Sequence, residues 1–251
     1  MMNNNAKNKS IGSTTRPIFV PDPQSIGVKE INISFDWHMG MTKVVRQRSI
    51  DSLHENAKKQ GFERILEASS KSKQDIGIQL SAFFLKNENR IPVENLFQSS
   101  KVFEKGGPFL DLLKKMPRDA KRDERLKSHG KMIRFTYENQ DFPLEPKSLF
   151  YDWLYIKTLF DCQNNYDLKE EFTDRDFQAF SDIEFNPKKS FSCQARTLAL
   201  TISLYQNESI KDFIRDPVKF SQKFNLYPLP LGEFEKPTTP SSSQGIQGDL
   251  F

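Results

Sequence analysis

The hydrophobic pattern changes period several times along the chain. Ile31-Asn32-Ile33-Ser34-Phe35 alternates apolar and polar side chains, the two-residue period of a strand with one buried face. Over 43–60, Val45, Ile50, Leu53 and Ala57 recur at helical spacing and Gly61 follows, which predicts a helix. Residues 65–70 read as a strand and 76–85 as a second extended piece. Pro92-Val93-Glu94 opens a helix carrying Leu96, Phe97, Val102 and Phe103, ended by Gly106-Gly107-Pro108. Two short helices over 109–115 and 118–127 precede an alternating strand over 131–137. Residues 148–160 are almost all apolar or aromatic, with Asp152 and Lys157 as exceptions, which is the composition of a buried helix. A long helix is expected over 190–205 and one or two more over 210–224.

Short strands followed by many helices give an α+β domain that is mostly helical. Residues 1–26, rich in Asn, Ser, Thr and Pro, read as a flexible N-terminal arm, and 27–227 as one catalytic domain. Residues 228–251 are a flexible Pro/Ser-rich tail by composition. Length agrees, because 251 residues fit one large domain with tails and suffice for a sizeable core.

Composition narrows the function classes. No apolar stretch approaches the ~20 residues of a membrane helix, and the polar start MMNNNAKNKSIGSTTRP lacks a signal core, so a cytoplasmic location is expected. Cys162 and Cys193 give no disulfide framework, and no Cys/His spacing suggests zinc, so neither metal nor cofactor is expected. A net charge of +4 permits a phosphate-bearing substrate without demanding one. The 22 phenylalanines are mostly assigned to the core.

Two segments concentrate polar chemistry. On a continuous helix Glu94, Gln98 and Lys101 would share one stripe, placing a carboxylate, an amide and an amine side by side; the same stripe also reads as a solvated polar face. Asp182 and Glu184 sit in a predicted loop, and Lys188 and Lys189 precede a helix start that Ser190 could cap, with Arg196 on that helix. Lysines at a helix start oppose its dipole, so either a phosphate ligand or a plain surface charge run accounts for them. Lys71 lies in a short basic loop after a strand, and Trp37 stands in a turn where it could stack on a base or simply pack.

Leu80-Ser81-Ala82-Phe83, Pro92-Val93-Glu94 and Phe97-Gln98-Ser99-Ser100-Lys101-Val102-Phe103 together resemble the NADAR superfamily of YbiA-like proteins. Residues 65–71 are similar to that family's opening strand and loop, and the Asp182 loop to its Trp-Gly-Asp-Gly segment, with Phe180-Ser181 replacing Trp-Gly. A second family tryptophan has Phe135 or Phe142 as its stand-in, and the family's Asn on the last helix becomes Gln194. Phe35-Asp36-Trp37-His38-Met39-Gly40, the 49–54 stretch and Phe185-Asn186-Pro187-Lys188-Lys189-Ser190 look closest to NADAR antitoxins that accompany DarT-type toxins, which ADP-ribosylate guanine in DNA.

The resemblance implies a single NADAR domain that removes ADP-ribose from modified guanine in DNA. It implies Glu94 as acid/base, Lys101 as nucleophile, Asp182 as second carboxylate, and Lys71, Gln98, Lys188, Lys189, Arg196 and Trp37 as substrate contacts. Two rivals stay open: an N-glycosidase on a small nucleotide or riboflavin-pathway intermediate, and a non-catalytic module binding ADP-ribose or a toxin. Separately, Gln247-Gly248-Asp249-Leu250-Phe251 resembles the peptide by which bacterial replication and repair proteins dock on the DNA sliding clamp, with Gln247, Leu250 and Phe251 as the contacts.

Overall fold

The protein is described by a computed structural model covering residues 11–188 and 190–227. Strands β1 Ile11–Asp22 and β2 Gly27–His38 form a long antiparallel hairpin, followed by helix α1 Lys43–Lys58 and strand β3 Ile65–Glu67. Next come α2 Asp75–Gln79, α3 Val93–Ser99, β4 Lys101–Phe103, a 3-10 turn Leu110–Lys114, α4 Pro117–Lys121 and α5 Arg125–Ser128. Strands β5 Met132–Tyr137 and β6 Gln140–Phe142 lead to α6 Leu149–Asp161, α7 Tyr166–Asp174, β7 Ala179–Ser181, α8 Gln194–Gln206, α9 Ile210–Arg215 and α10 Pro217–Phe224. This is the helix-dominated α+β architecture expected from the pattern.

The main sheet has the order β2-β1-β7-β3, and alternation along its strands explains its two covers. On one face Ile18, Ile33, Phe35 and Ile65 pack with Ile50, Leu53 and Ala57 of α1. On the other face Phe19, Leu66 and Phe180 pack with Tyr151, Tyr155, Leu198 and Ala199 of α6 and α8. The small sheet β4-β5-β6 packs on the opposite side of α6 through Phe135, Phe142, Phe150 and Trp153, which accounts for much of the aromatic content.

Strand direction places the functional end. β1 is antiparallel to both β2 and β7, and β3 is parallel to β7, so β2, β7 and β3 end on the same edge. Trp37 is the penultimate residue of β2, and the loop at 68–74 and Asp182 follow the carboxyl ends of β3 and β7, the edge where open α/β sheets bind ligands.

Four expectations are corrected. Residues 11–26 are not a loose arm: β1 pairs with β2 along its whole length, and Pro17 and Pro21 are tolerated because β7 meets β1 only at Phe19. The segment at 76–85 is the helix α2 and turns, not a strand. There Gly77 lets backbone approach backbone, since a Cβ on it would lie 2.2 Å from the Glu67 carbonyl oxygen. The helix opened by Pro92 stops at Ser99, and 101–103 is a strand. The last long helix begins at Gln194 after Cys193, so Ser190 is no cap; its hydroxyl donates to the Ser192 carbonyl at 3.1 Å. Lys189 and the tail residues Gln247, Leu250 and Phe251 lie outside the described residues.

Candidate active site

The first turn of α3 is seated from behind: the Val93 amide donates to Leu85 O and the Glu94 amide to Ala82 O, both at 2.9 Å. Glu94 and Gln98 are one turn apart and each 5 % exposed. Gln98 Nε2 donates to Glu94 Oε1 at 2.8 Å, and Lys101 Nζ donates to Gln98 Oε1 at 2.8 Å. The three expected residues therefore do meet, although not on one helix. The hydroxyls of Ser99 and Ser100 both donate back to Leu96 O, the helix ends, and β4 pairs with β5. Lys101 returns to the cluster from the first position of a strand.

Lys101 Nζ lies 4.6 Å from the centroid of Phe97, whose ring meets Tyr151 edge-on at 5.0 Å. Burial pulls the Lys101 amine down to about 8 from its ordinary 10.5, against the opposing pull of Glu94 and with a smaller push from Lys121. Lys121, at the end of α4, is an addition that sequence reasoning missed: its Nζ is 3.3 Å from Glu94 Oε2 and 5.4 Å from the Phe83 ring centroid.

Asp182 follows β7 and accepts from the Glu184 amide at 3.0 Å. Burial first, and the carboxylate of Glu67 second, raise its pKa; Lys121 works in the opposite direction. Tyr151 joins this half to the other. Its phenol is raised by burial and then by Glu94, with Asp182 contributing, so both carboxyls act on one buried ring.

Glu67 is a second residue that sequence reasoning passed over as part of a strand. Its carboxyl is buried and receives Ser69 Oγ at 2.6 Å, Ser181 Oγ at 2.6 Å and the Ile183 amide at 2.9 Å. Those bonds tie the turn before Lys71 to the turn carrying Asp182. Burial still raises the Glu67 pKa, and His54 Nε2 completes the network 2.8 Å from Ser181 Oγ. Gln194 makes a parallel tie, donating to Ala68 O and accepting from the Ala82 amide.

The remaining expected contacts divide. The loop carrying Lys71 is fixed by Gln47 Nε2, which donates to Lys71 O at 3.2 Å. Lys188 is exposed, with its amide on Asn186 Oδ1 at 3.0 Å. Trp37 has the guanidinium of Arg46 at 4.5 Å and that of Arg16 at 5.4 Å from its ring centroid. Arg196 is engaged within the domain: its Nη1 donates to buried Asp152 at 2.8 Å, and its guanidinium lies 5.0 Å from the Tyr227 ring. Phe135 stacks on Phe150 at 4.5 Å and approaches Phe97 at 5.5 Å, whereas Phe142 lies deep against Trp153.

Among the described residues no group of three or more His, Cys, Asp or Glu gathers as a metal would require, and no helix is long and apolar enough to cross a membrane. A cleft of about 710 Å³ beside His54 is lined by charged residues such as Glu55, Lys58, Arg64 and Asp176, and by none of Glu94, Lys101 or Asp182.

A carboxylate bridged to a buried amine, beside a second carboxyl of raised pKa, suits displacement at an electron-poor sugar carbon. Residues 14–229 match the family described as DarT1-associated NADAR antitoxin. No curated protein matches the chain.

Proposed function

The chain belongs to the DarT1-associated NADAR antitoxin family, and from that membership we propose that it is an ADP-ribosyl glycohydrolase that frees guanine in DNA from ADP-ribose. The observation that carries the reading is the Glu94–Gln98–Lys101 chain of hydrogen bonds, with Lys101 poised near neutrality.

The residues divide the work as follows. The bond from ribose C1 to the guanine nitrogen breaks, its electron pair stays with the base, and a proton is added there. Asp182, whose pKa is raised, retains a proton for that transfer. The neutral amine of Lys101 attacks the same carbon, giving up a proton to Glu94; the C1–O4′ bond then breaks, Glu94 returns that proton to O4′, and the opened sugar is held as a protonated imine. Water adds to the imine carbon with Glu94 taking its proton, the bond from C1 to the Lys101 nitrogen breaks to free the sugar aldehyde and the amine, and the surplus proton returns through solvent to Asp182. Lys121 pairs directly with Glu94 at 3.3 Å and holds its carboxyl group in place. Lys71 and Lys188, with Lys189 from the sequence reading, are the candidate phosphate contacts.

The test is to incubate the protein with guanine-ADP-ribosylated DNA and measure free ADP-ribose. Release by the wild-type chain is expected, and Glu94→Gln should slow it by ~10²–10⁴. No release at stoichiometric protein, or release only from a free nucleotide competitor, overturns the reading. Docking of the 247–251 segment on a sliding clamp is a separate proposal. Comparing clamp binding by the full chain with that by a chain lacking those residues tests it; equal binding, or none by either, refutes it.

A further inference from the structure

Two arginines that the reaction does not use converge on Trp37, at the sheet edge that carries Asp182. Arg16, on β1, and Trp37, near the end of β2, lie on the face of the hairpin that packs under α1. Arg46 comes from the first turn of α1. Both guanidinium groups stand over Trp37, at 5.4 and 4.5 Å from its centroid. Each carries a buried nitrogen without a hydrogen-bond partner, Nε in Arg16 and Nη1 in Arg46. Glu184 Oε1 lies 3.2 Å from Arg46 Nε, and among the described residues no carboxylate forms an ion pair with Arg16. Burial lowers the Arg16 pKa, and Arg46 lowers it further.

Folding alone gives little reason for this arrangement. Two like charges drawn together, each with an unsatisfied buried N–H, cost free energy unless an anion completes the set. A planar guanidinium stacked on an aromatic ring is also pre-oriented for bidentate bonding to a phosphate. The position fits a ligand shared with the catalytic residues: Glu184 is two residues past Asp182, and Gln47, beside Arg46, holds the carbonyl of Lys71. The adjoining turn also exposes Met39, Met41 and Val44, apolar side chains that a nucleic-acid base could cover.

We propose that Arg16 and Arg46 form a phosphate-binding site over Trp37, on the sheet edge that carries Asp182. The oxyanion it takes has two sources, the diphosphate of ADP-ribose and a phosphodiester of the DNA strand. The proposal rests on the reading of the catalytic residues given above, but its test reads binding and not hydrolysis, so the two fail separately.

An Arg16→Gln/Arg46→Gln double variant is compared with wild type by calorimetry with ADP-ribose and by fluorescence anisotropy with an unmodified, fluorescein-labelled single-stranded oligodeoxynucleotide. At least a tenfold loss for one ligand is expected. Loss for ADP-ribose assigns the site to the diphosphate. Loss for the oligonucleotide, with a salt dependence shallower by about 1 in log–log slope, assigns it to the strand. Affinities within twofold of wild type for both ligands overturn the proposal and leave the pair as a clamp on Trp37. Should the double variant fail to fold, phenylglyoxal labelling of the wild-type protein decides. Protection of Arg16 and Arg46 by either ligand supports the site, and unchanged labelling with both removes it.

Discussion

The amine of Lys101 donates to the side-chain carbonyl of Gln98 at 2.8 Å, so it is linked to Glu94 through an amide whose nitrogen end faces that carboxylate. An amide in that position transmits orientation without adding charge. Gln98→Glu is nearly isosteric but places a carboxylate against Lys101 and a second negative charge beside Glu94. The amine should then titrate closer to its ordinary range. The expected result is at least a tenfold fall in kcat/KM at pH 7.5 and an acid limb moved up by a unit or more. A pH–rate profile that overlays wild type would show that Gln98 plays no such part.

Lys101 itself should be found on the sugar. Reduction with borohydride during turnover should leave an adduct on the peptide containing Lys101. Its yield should climb as pH rises through about 8, because the neutral amine is the attacking form and burial sets its pKa there. Lys121 is the internal competitor, 3.3 Å from the same glutamate. An adduct on Lys121 that survives Lys101→Ala would transfer the nucleophile to α4.

Arg196 is predicted to stabilise the domain and not to hold substrate. Asp152 is buried, and Arg196 Nη1 and Tyr227 Oη each donate to its Oδ2 at 2.8 Å. Removing either charge leaves the other buried and unpaired, which costs about 3–5 kcal/mol. Asp152→Ala and Arg196→Ala should each show that loss in urea unfolding, and the double variant should lose much less than their sum. ADP-ribose affinity of the folded fraction should stay unchanged; a several-fold drop with normal stability would restore the phosphate role instead.

The sequence made the cluster legible but not its geometry. Glu94, Gln98 and Lys101 stood out by spacing on an assumed helix, yet the helix ends before Lys101. The signal for that end, two consecutive serines bonding back to Leu96, is local and weak beside the apolar Val102 and Phe103. Glu67 and Lys121 were invisible for a different reason. Glu67 is recruited by Ser181, 114 residues away, and Lys121 emerges from a stretch so rich in charge that no single residue stands apart. The strand β1 was hidden by Pro17 and Pro21, whose cost falls away when the strand is paired on one side for nearly all its length. The buried helix α6 and the amphipathic α1 were readable, because burial on one or all faces writes itself into composition.

The last prediction concerns His54. Its Nε2 lies 2.8 Å from Ser181 Oγ, which donates to Glu67, and burial holds the imidazole down to about 4 from 6.5, with Asp51 opposing. The folded-state pKa is thus below the unfolded value. Above pH 6.5 the ring is neutral in both states and contributes no pH dependence. Between 6.5 and about 4 the unfolded chain takes up a proton that the folded chain refuses, so stability falls as pH falls, by at most about 3 kcal/mol in total. Glu67 has the opposite sign: its raised pKa means that the folded state binds the extra proton, which offsets part of the loss. His54→Gln keeps a donor near Ser181 but cannot titrate, so it isolates the imidazole. Urea unfolding at pH 7.5, 6, 5 and 4 should show wild type losing roughly 2 kcal/mol more than the variant across that range. Parallel curves would mean that His54 is not held neutral. The same window should matter to the reaction, because protonating His54 at Nδ1 puts a positive charge beside Ser181, whose partner Glu67 holds the Ile183 amide one residue beyond Asp182. Activity of wild type should therefore drop more steeply below pH 6 than that of His54→Gln.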